Sequence, residues 1–215
     1  MNWAVEALLG GTAQPFRSTE ASAIAKAPLP GRVAITRLGL SGDTQADKVN
    51  HGGPDMAVHV YPLDHHAFWR EQLGDHPLLS DPGAFGGNLA VSGLAEADLA
   101  IGDRLRLGTA LLEVSRPRQP CWKIEHRFRA KGMVKAILRS GRSGWYFRVL
   151  EEGTAEAGDA LQLVERDAAA FSVERCFAAI WGTAAPRDPV ELRAVLGLGA
   201  LAEGLRADLA GRHDL

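Results

Sequence analysis

The chain has 215 residues, 46% hydrophobic and 23% charged, with a formal net charge of −2; this suits one mid-sized globular unit with a full core. It has no run of about 18 apolar residues, which excludes a membrane-spanning helix, and the start Met1-Asn2-Trp3-Ala4-Val5-Glu6 lacks the basic and apolar regions of a secretion signal. Two cysteines, Cys121 and Cys176, are too few for a disulfide framework, no CxxC occurs, and a reducing cytoplasm is the expected setting.

Residues 1–166 read as short strands broken by Gly, Pro and Asp. In chain order these are Val33–Ile35, Met56–Tyr61, Leu105–Leu107, Leu111–Ser115, Gly144–Leu150 and Leu161–Val164. Arg104–Leu107, Gly108-Thr109 and Ala110–Ser115 predict a hairpin, with Leu112 and Val114 on one face and Leu111 and Glu113 on the other. Two helices interrupt the strands. One runs Leu63–Leu73, between Pro62 and Gly74; the other runs Lys131–Arg139, with Met133, Ile137 and Leu138 as its apolar stripe. Many short strands with few helices predict a mainly β fold, a β-barrel or folded sheet.

Residues 167–215 change character. Ser172 is a good N-cap for a helix carrying Val173, Cys176, Phe177 and Ile180, Pro189 opens a second, and Leu201, Leu205 and Leu209 mark a third. This predicts a small three-helix extension. With five Lys/Arg against seven Asp/Glu, it has the wrong charge for contacts with nucleic-acid phosphates.

Charge is unevenly spread. Residues 116–148 hold ten Lys/Arg and one acid, Glu125. Any one of these cations could simply be solvated, but the block encloses a cysteine and is read as an anion site. Cys121 lies in Ser115-Arg116-Pro117-Arg118-Gln119-Pro120-Cys121-Trp122-Lys123. The prolines stiffen the approach and fit a loop rather than a strand interior, and Arg116, Arg118 and Lys123 favour the thiolate, the form that binds metal or attacks. Cys176, on an apolar helix face, reads as filler.

Three glycine-rich clusters accompany it. Gly42 to Asp55 contains His51, Gly52, Gly53 and Asp55. Phe85-Gly86-Gly87-Asn88-Leu89 feeds a strand. Gly141-Arg142-Ser143-Gly144 pairs glycine with a cation. Glycine lets backbone approach a ligand closely and bares N–H groups to anions. Arg116, Arg118 and Arg142 are expected to converge on one pocket with Cys121.

In this order, His51-Gly52-Gly53-Pro54-Asp55, Phe85-Gly86-Gly87-Asn88, Arg116-Pro117-Arg118-Gln119-Pro120-Cys121 and Gly144-Trp145 resemble the MOSC domain, named for the C-terminal domain of molybdenum cofactor sulfurase. Gly42-Asp43-Thr44-Gln45-Ala46-Asp47 and the helical extension are similar to the YiiM-type branch. The resemblance implies a MOSC barrel over residues 1–166, a 167–215 extension, and a molybdopterin cofactor whose molybdenum is held by Cys121. Gly52, Gly53, Gly86, Gly87, Asn88, Arg116, Arg118, Lys123 and Arg142 would contact that cofactor, and Asp55 or His51 would supply a proton. The implied activity is reduction of N-hydroxylated compounds such as 6-hydroxylaminopurine, with electrons from a separate flavin reductase. No nucleic-acid or membrane partner is expected, and a homodimer is left open. Two rivals remain. One is a carrier of cofactor or sulfur without reductase activity. The other is a hydrolase with Cys121 as nucleophile and His126 or His51 as base.

Overall fold

The computed structural model describes residues 1–46 and 52–213. The N-terminal part supplies β1 (Asn2–Gly10), the hairpin β2 (Gln14–Arg17) and β3 (Glu20–Ser22), then β4 (Ala27–Pro28), β5 (Val33–Thr36) and β6 (Gly39–Leu40). Next come β7 (Val58–Pro62), α1 (His65–Leu73), β8 (Leu89–Val91), β9 (Arg104–Leu107) and β10 (Ala110–Pro117). After these follow α2 (Lys123–Phe128), α3 (Met133–Ser140), β11 (Trp145–Glu151), β12 (Gly153–Ala155) and β13 (Ala160–Glu165). The extension is α4 (Val173–Trp181), α5 (Pro189–Leu196) and α6 (Glu203–His213).

Seven strands close into a barrel in the order β13-β9-β10-β11-β7-β8-β1, with β1 returning to β13 through Asn2↔Gln162, Trp3↔Leu161 and Ala4↔Ala160. Closure leaves those strands no open edge. Only β7 and β8 run parallel among them. Parallel neighbours need a crossover, and α1 with its following loop provides it. Gly74 ends α1 at φ 69°, its N–H reaching the Arg70 carbonyl at 2.9 Å. The predicted hairpin forms, with Leu107 opposite Ala110 across Gly108-Thr109.

One irregularity in β10 decides where the site lies. Leu112 and Val114 point into the barrel against Val149 and Phe147. Strict alternation would send Arg116 the same way. The register shifts between Val114 and Arg116 instead, a bulge that re-aims the next side chain. Arg116 then stands opposite Tyr146, and Tyr146 opposite His59. Pro117, Trp145 and Val60 form the adjacent row and are all buried. Arg116, Tyr146 and His59 therefore share the barrel's outer face.

The extension packs on this wall. Ser172 caps α4 by accepting from the Arg175 N–H, and Val173, Cys176, Phe177 and Ile180 are buried as their spacing predicts. Ala202 N–H donates to the Ser115 carbonyl at 2.9 Å, and one continuous apolar core runs from barrel to extension. Among the described residues no helix is long and apolar enough to cross a membrane.

Candidate functional site

Cys121 sits in the loop between β10 and α2, and that loop is pinned from behind. Arg118 N–H donates to the Gly144 carbonyl at 3.0 Å, and Ser143 Oγ donates to the Arg118 carbonyl at 2.6 Å. The Ser143–Gly144 turn is held in turn by the buried carboxylate of Glu96, which accepts both amides at 3.1 and 2.7 Å and meets His65 Nε2 at 2.8 Å. Gly144 has φ +76°, and a Cβ there would lie 2.1 Å from the Val60 carbonyl, so only glycine fits. On the far side the Cys121 carbonyl accepts from Ile124 N–H, opening α2. The thiol is left partly exposed where two cavities meet; Met56, Cys121 and Tyr146 line both.

The inner cavity, about 100 Å³, is rich in buried cations. Lys26, Arg118 and Lys123 face it with one carboxylate, Asp43. Lys26 is ion-paired to Asp43, whose position is fixed by Asn88 Nδ2 and Gly11 N–H. Burial pushes the Lys26 amine below the usual lysine range, and Asp43 partly restores it. Arg118 is 7% exposed, and its Nη1 has no hydrogen-bond partner among the described residues. A buried guanidinium nitrogen left unpaired costs about 1–3 kcal/mol or more. This is the environment an anion would complete.

His59, on the same wall, has its Nδ1 3.1 Å from the Gly86 carbonyl. Burial holds its pKa well below 6.5, and the Arg118 charge adds to this. The native state thus keeps a neutral imidazole that the unfolded chain protonates below about pH 6.5. The unfolded state then binds more protons, so stability is full above that value and falls as pH drops toward the depressed native pKa. His66, also held low by burial, acts in the same direction. Denaturant midpoints measured from about pH 8 to about pH 5 are expected to decline below roughly pH 6.5, and to decline less in His59→Gln. Identical pH profiles for the two proteins would refute the assignment.

The outer cleft is larger, about 660 Å³. Its walls include Gly52, Gly53, Arg116, Trp122 and Tyr146, with Leu205 and Asp208 of α6 opposite. Asp55 lies here too, but as a structural clamp. Its Oδ1 accepts from Arg148 Nε at 2.8 Å and its Oδ2 from the Glu203 N–H at 3.2 Å, tying barrel to α6. Both carboxylate oxygens being engaged, its geometry favours a strut over a proton donor.

The structure brings together Cys121, Arg118, Lys123, Gly86 and Asn88 at the inner cavity, and Cys121, Arg116, Gly52, Gly53 and Asp55 at the outer one. It does not bring Arg142 to Cys121, correcting the expected convergence. The Arg142 guanidinium stacks 4.5 Å from the Phe68 ring centre and borders a separate cleft with His65 and Glu174, because the Ser143–Gly144 turn points it away. Gly87 packs against Tyr61 rather than lining the cavity. His51 lies outside the described residues. His126 has its Nε2 3.0 Å from the Phe16 carbonyl. Cys176 is buried, which pushes its thiol up to about 12. Lys26, Asp43, His59 and Tyr146 were absent from the predicted set. Asp43, inside the Gly42–Asp55 cluster, and Tyr146, directly after Gly144-Trp145, had a local signal.

The closed barrel thus presents one cysteine between a pocket of buried cations and an open cleft. The MOSC domain model matches residues 47–162, and the chain belongs to that family, in its YiiM-type branch. It is 42% identical over 191 residues to YflK of Bacillus subtilis, covering 89% of this chain and 84% of that one. A protein of Gibberella moniliformis named "Reductase" is 41% identical over 153 residues, 71% of this chain but 27% of the longer fungal protein. The crystal structure of YiiM from Geobacillus stearothermophilus superposes with a TM-score of 0.81 at 30% identity, covering 98% of both chains.

Proposed function

We propose that the chain is a molybdenum-cofactor-dependent reductase of N-hydroxylated compounds such as 6-hydroxylaminopurine. One observation carries the reading: Cys121 stands between a pocket of buried cations, where Arg118 Nη1 has no hydrogen-bond partner among the described residues, and a cleft large enough for a substrate. The residues fit the cofactor. A soft thiolate suits molybdenum, and Arg118, Lys123 and Lys26 suit a phosphate dianion. Among the described residues no three His, Cys, Asp or Glu side chains gather to hold a metal ion on their own, so further ligands would come from the cofactor itself.

When bound, the cofactor would supply the two-electron chemistry. The net reaction is R–NH–OH plus two electrons and two protons giving R–NH2 and water, with a separate flavin reductase as electron donor. The chain's own residues anchor the metal at Cys121, neutralise the phosphate, and admit substrate from the outer cleft. Membership in a family named for the sulfurase domain supports the cofactor, and the fungal relative's name supports reductive chemistry.

Protein made in a molybdopterin-synthesising host is expected to carry close to one molybdenum and one pterin per chain, and to reduce 6-hydroxylaminopurine with a reductant. Cofactor without turnover would leave the carrier reading. A preparation with zinc, or with no pterin, would overturn both.

A further inference from the structure

We propose that Arg116 is the anion-binding residue of the outer cleft, and that the substrates selected there are N-hydroxylated bases carrying a phosphate monoester rather than free bases. This rests on the reductase reading above.

The argument begins with the bulge in β10. Without the shift between Val114 and Arg116, a guanidinium would point into an apolar barrel. With it, Arg116 is re-aimed into the cleft beside Tyr146. There it is partly buried, and among the described residues it makes no ion pair. Among the described residues its one side-chain hydrogen bond is a long contact, 3.4 Å, from Nε to the Pro117 carbonyl, leaving the two terminal nitrogens for a ligand. Burial disfavours its charge, and the nearby Tyr146, Asp55, Cys176 and Asp208 offset this only in part. The Asp55 carboxylate is already committed to Arg148 and to the α6 amide. Asp208, on the opposite wall, adds a charge that offsets this burial only in part. A half-buried guanidinium without a bonded carboxylate is a ready partner for an external anion, and its planar fork matches phosphate.

The rest of the cleft fits the same ligand. About 660 Å³ falls in the range of sites for drug-sized ligands. Trp122 and Tyr146 offer aromatic surface for a base. Cys121 marks the reacting end. The two anion positions are then separate: Arg118 in the inner cavity for the cofactor's phosphate, Arg116 in the outer cleft for the substrate's.

The test compares 6-hydroxylaminopurine, its ribonucleoside and its 5′-monophosphate on molybdenum-loaded protein. The monophosphate is expected to exceed the nucleoside in kcat/KM by roughly tenfold or more, chiefly through KM, as a charge-assisted contact warrants. Arg116→Gln should bring the monophosphate down to the nucleoside, Arg116→Lys should keep part of the preference, and Arg106→Gln, on the exposed β9 surface, should keep all of it. A second readout needs no cofactor. Calorimetry on cofactor-free protein should show AMP binding more tightly than adenosine, a preference that survives Arg118→Gln and disappears in Arg116→Gln, with thermal melts confirming both variants are folded. If none of the three compounds turns over but the calorimetric preference behaves as stated, the reductase reading has failed and the anion site stands. If monophosphate and nucleoside turn over equally, or the preference follows Arg118 instead, the assignment of Arg116 is wrong.

Discussion

Cys121→Ser is expected to abolish reduction of N-hydroxylated substrates and to leave the purified protein nearly free of molybdenum, while Cys176→Ser retains both. The two thiols differ in place, not in kind. Cys121 is partly exposed at the point where the cation pocket meets the outer cleft. A serine hydroxyl there is a hard ligand that stays protonated near neutrality, a poor exchange for a thiolate. Cys176 lies 0% exposed on α4, between Val173 and Phe177, and desolvation keeps it protonated, with its pKa near 12. Serine in that position buries a hydroxyl, at about 1–3 kcal/mol before it finds a partner. The Ser172 carbonyl one turn back can accept from it and keep the loss small. Metal content, turnover and circular dichroism of both variants decide the matter. Full activity in folded Cys121→Ser would end the metal–thiolate reading, and an inactive Cys176→Ser would place the chemistry in the wrong part of the chain.

The parts of the fold that were legible in the sequence are those specified by local chemistry. α4 announces itself through the Ser172 cap and its apolar spacing, α5 through Pro189, and α1 through its terminal Gly74. β9 alternates cleanly because one of its faces is buried along its whole length. β1 gave no such signal. It pairs with β13 at its start and with β8 and β4 at its end, so its burial changes midway and no single period holds. α2 was missed because it is six residues long and Trp122, at its N-cap, makes no side-chain capping bond. The β2–β3 hairpin is mostly exposed, and carries almost no hydrophobic pattern to read.

The site divides along the same line. Cys121 and Arg118 stand out because cations, prolines and the cysteine are neighbours in sequence. That Arg116 and Arg118 serve different cavities could not be read, because it depends on a one-residue bulge. Lys26, Asp43 and His59 come from distant segments and meet only when the barrel closes. Arg142 shows the opposite error. It is close to Gly144 in sequence, yet the turn that anchors the cysteine loop sends its side chain toward Phe68.

Arg118→Glu is expected to reduce cofactor retention by on the order of 100-fold or more, and Arg106→Glu to leave it unchanged. Arg106 pairs with Glu151 in solvent at 2.7 Å, and losing such a surface pair matters by less than about 1 kcal/mol. Arg118 is buried in a pocket of three cations and one carboxylate. Its replacement by glutamate deletes a phosphate partner and adds a repelling charge, a change of roughly 2–5 kcal/mol for a buried charged contact. A second variant gives the prediction a sign that general damage would not. In cofactor-free protein Arg118 holds a buried nitrogen unsatisfied among the described residues, so its charge opposes folding until an anion arrives. Arg118→Met keeps the apolar stem and removes that burden. It should therefore raise the Tm of the cofactor-free protein by a few degrees, at about 2–4 °C per kcal/mol for a chain of this size, while still losing the cofactor. Sites built for ligands carry this trade of stability for binding. An Arg118→Met protein that melts lower than wild type and keeps its molybdenum would show that the guanidinium braces the fold instead of waiting for a phosphate.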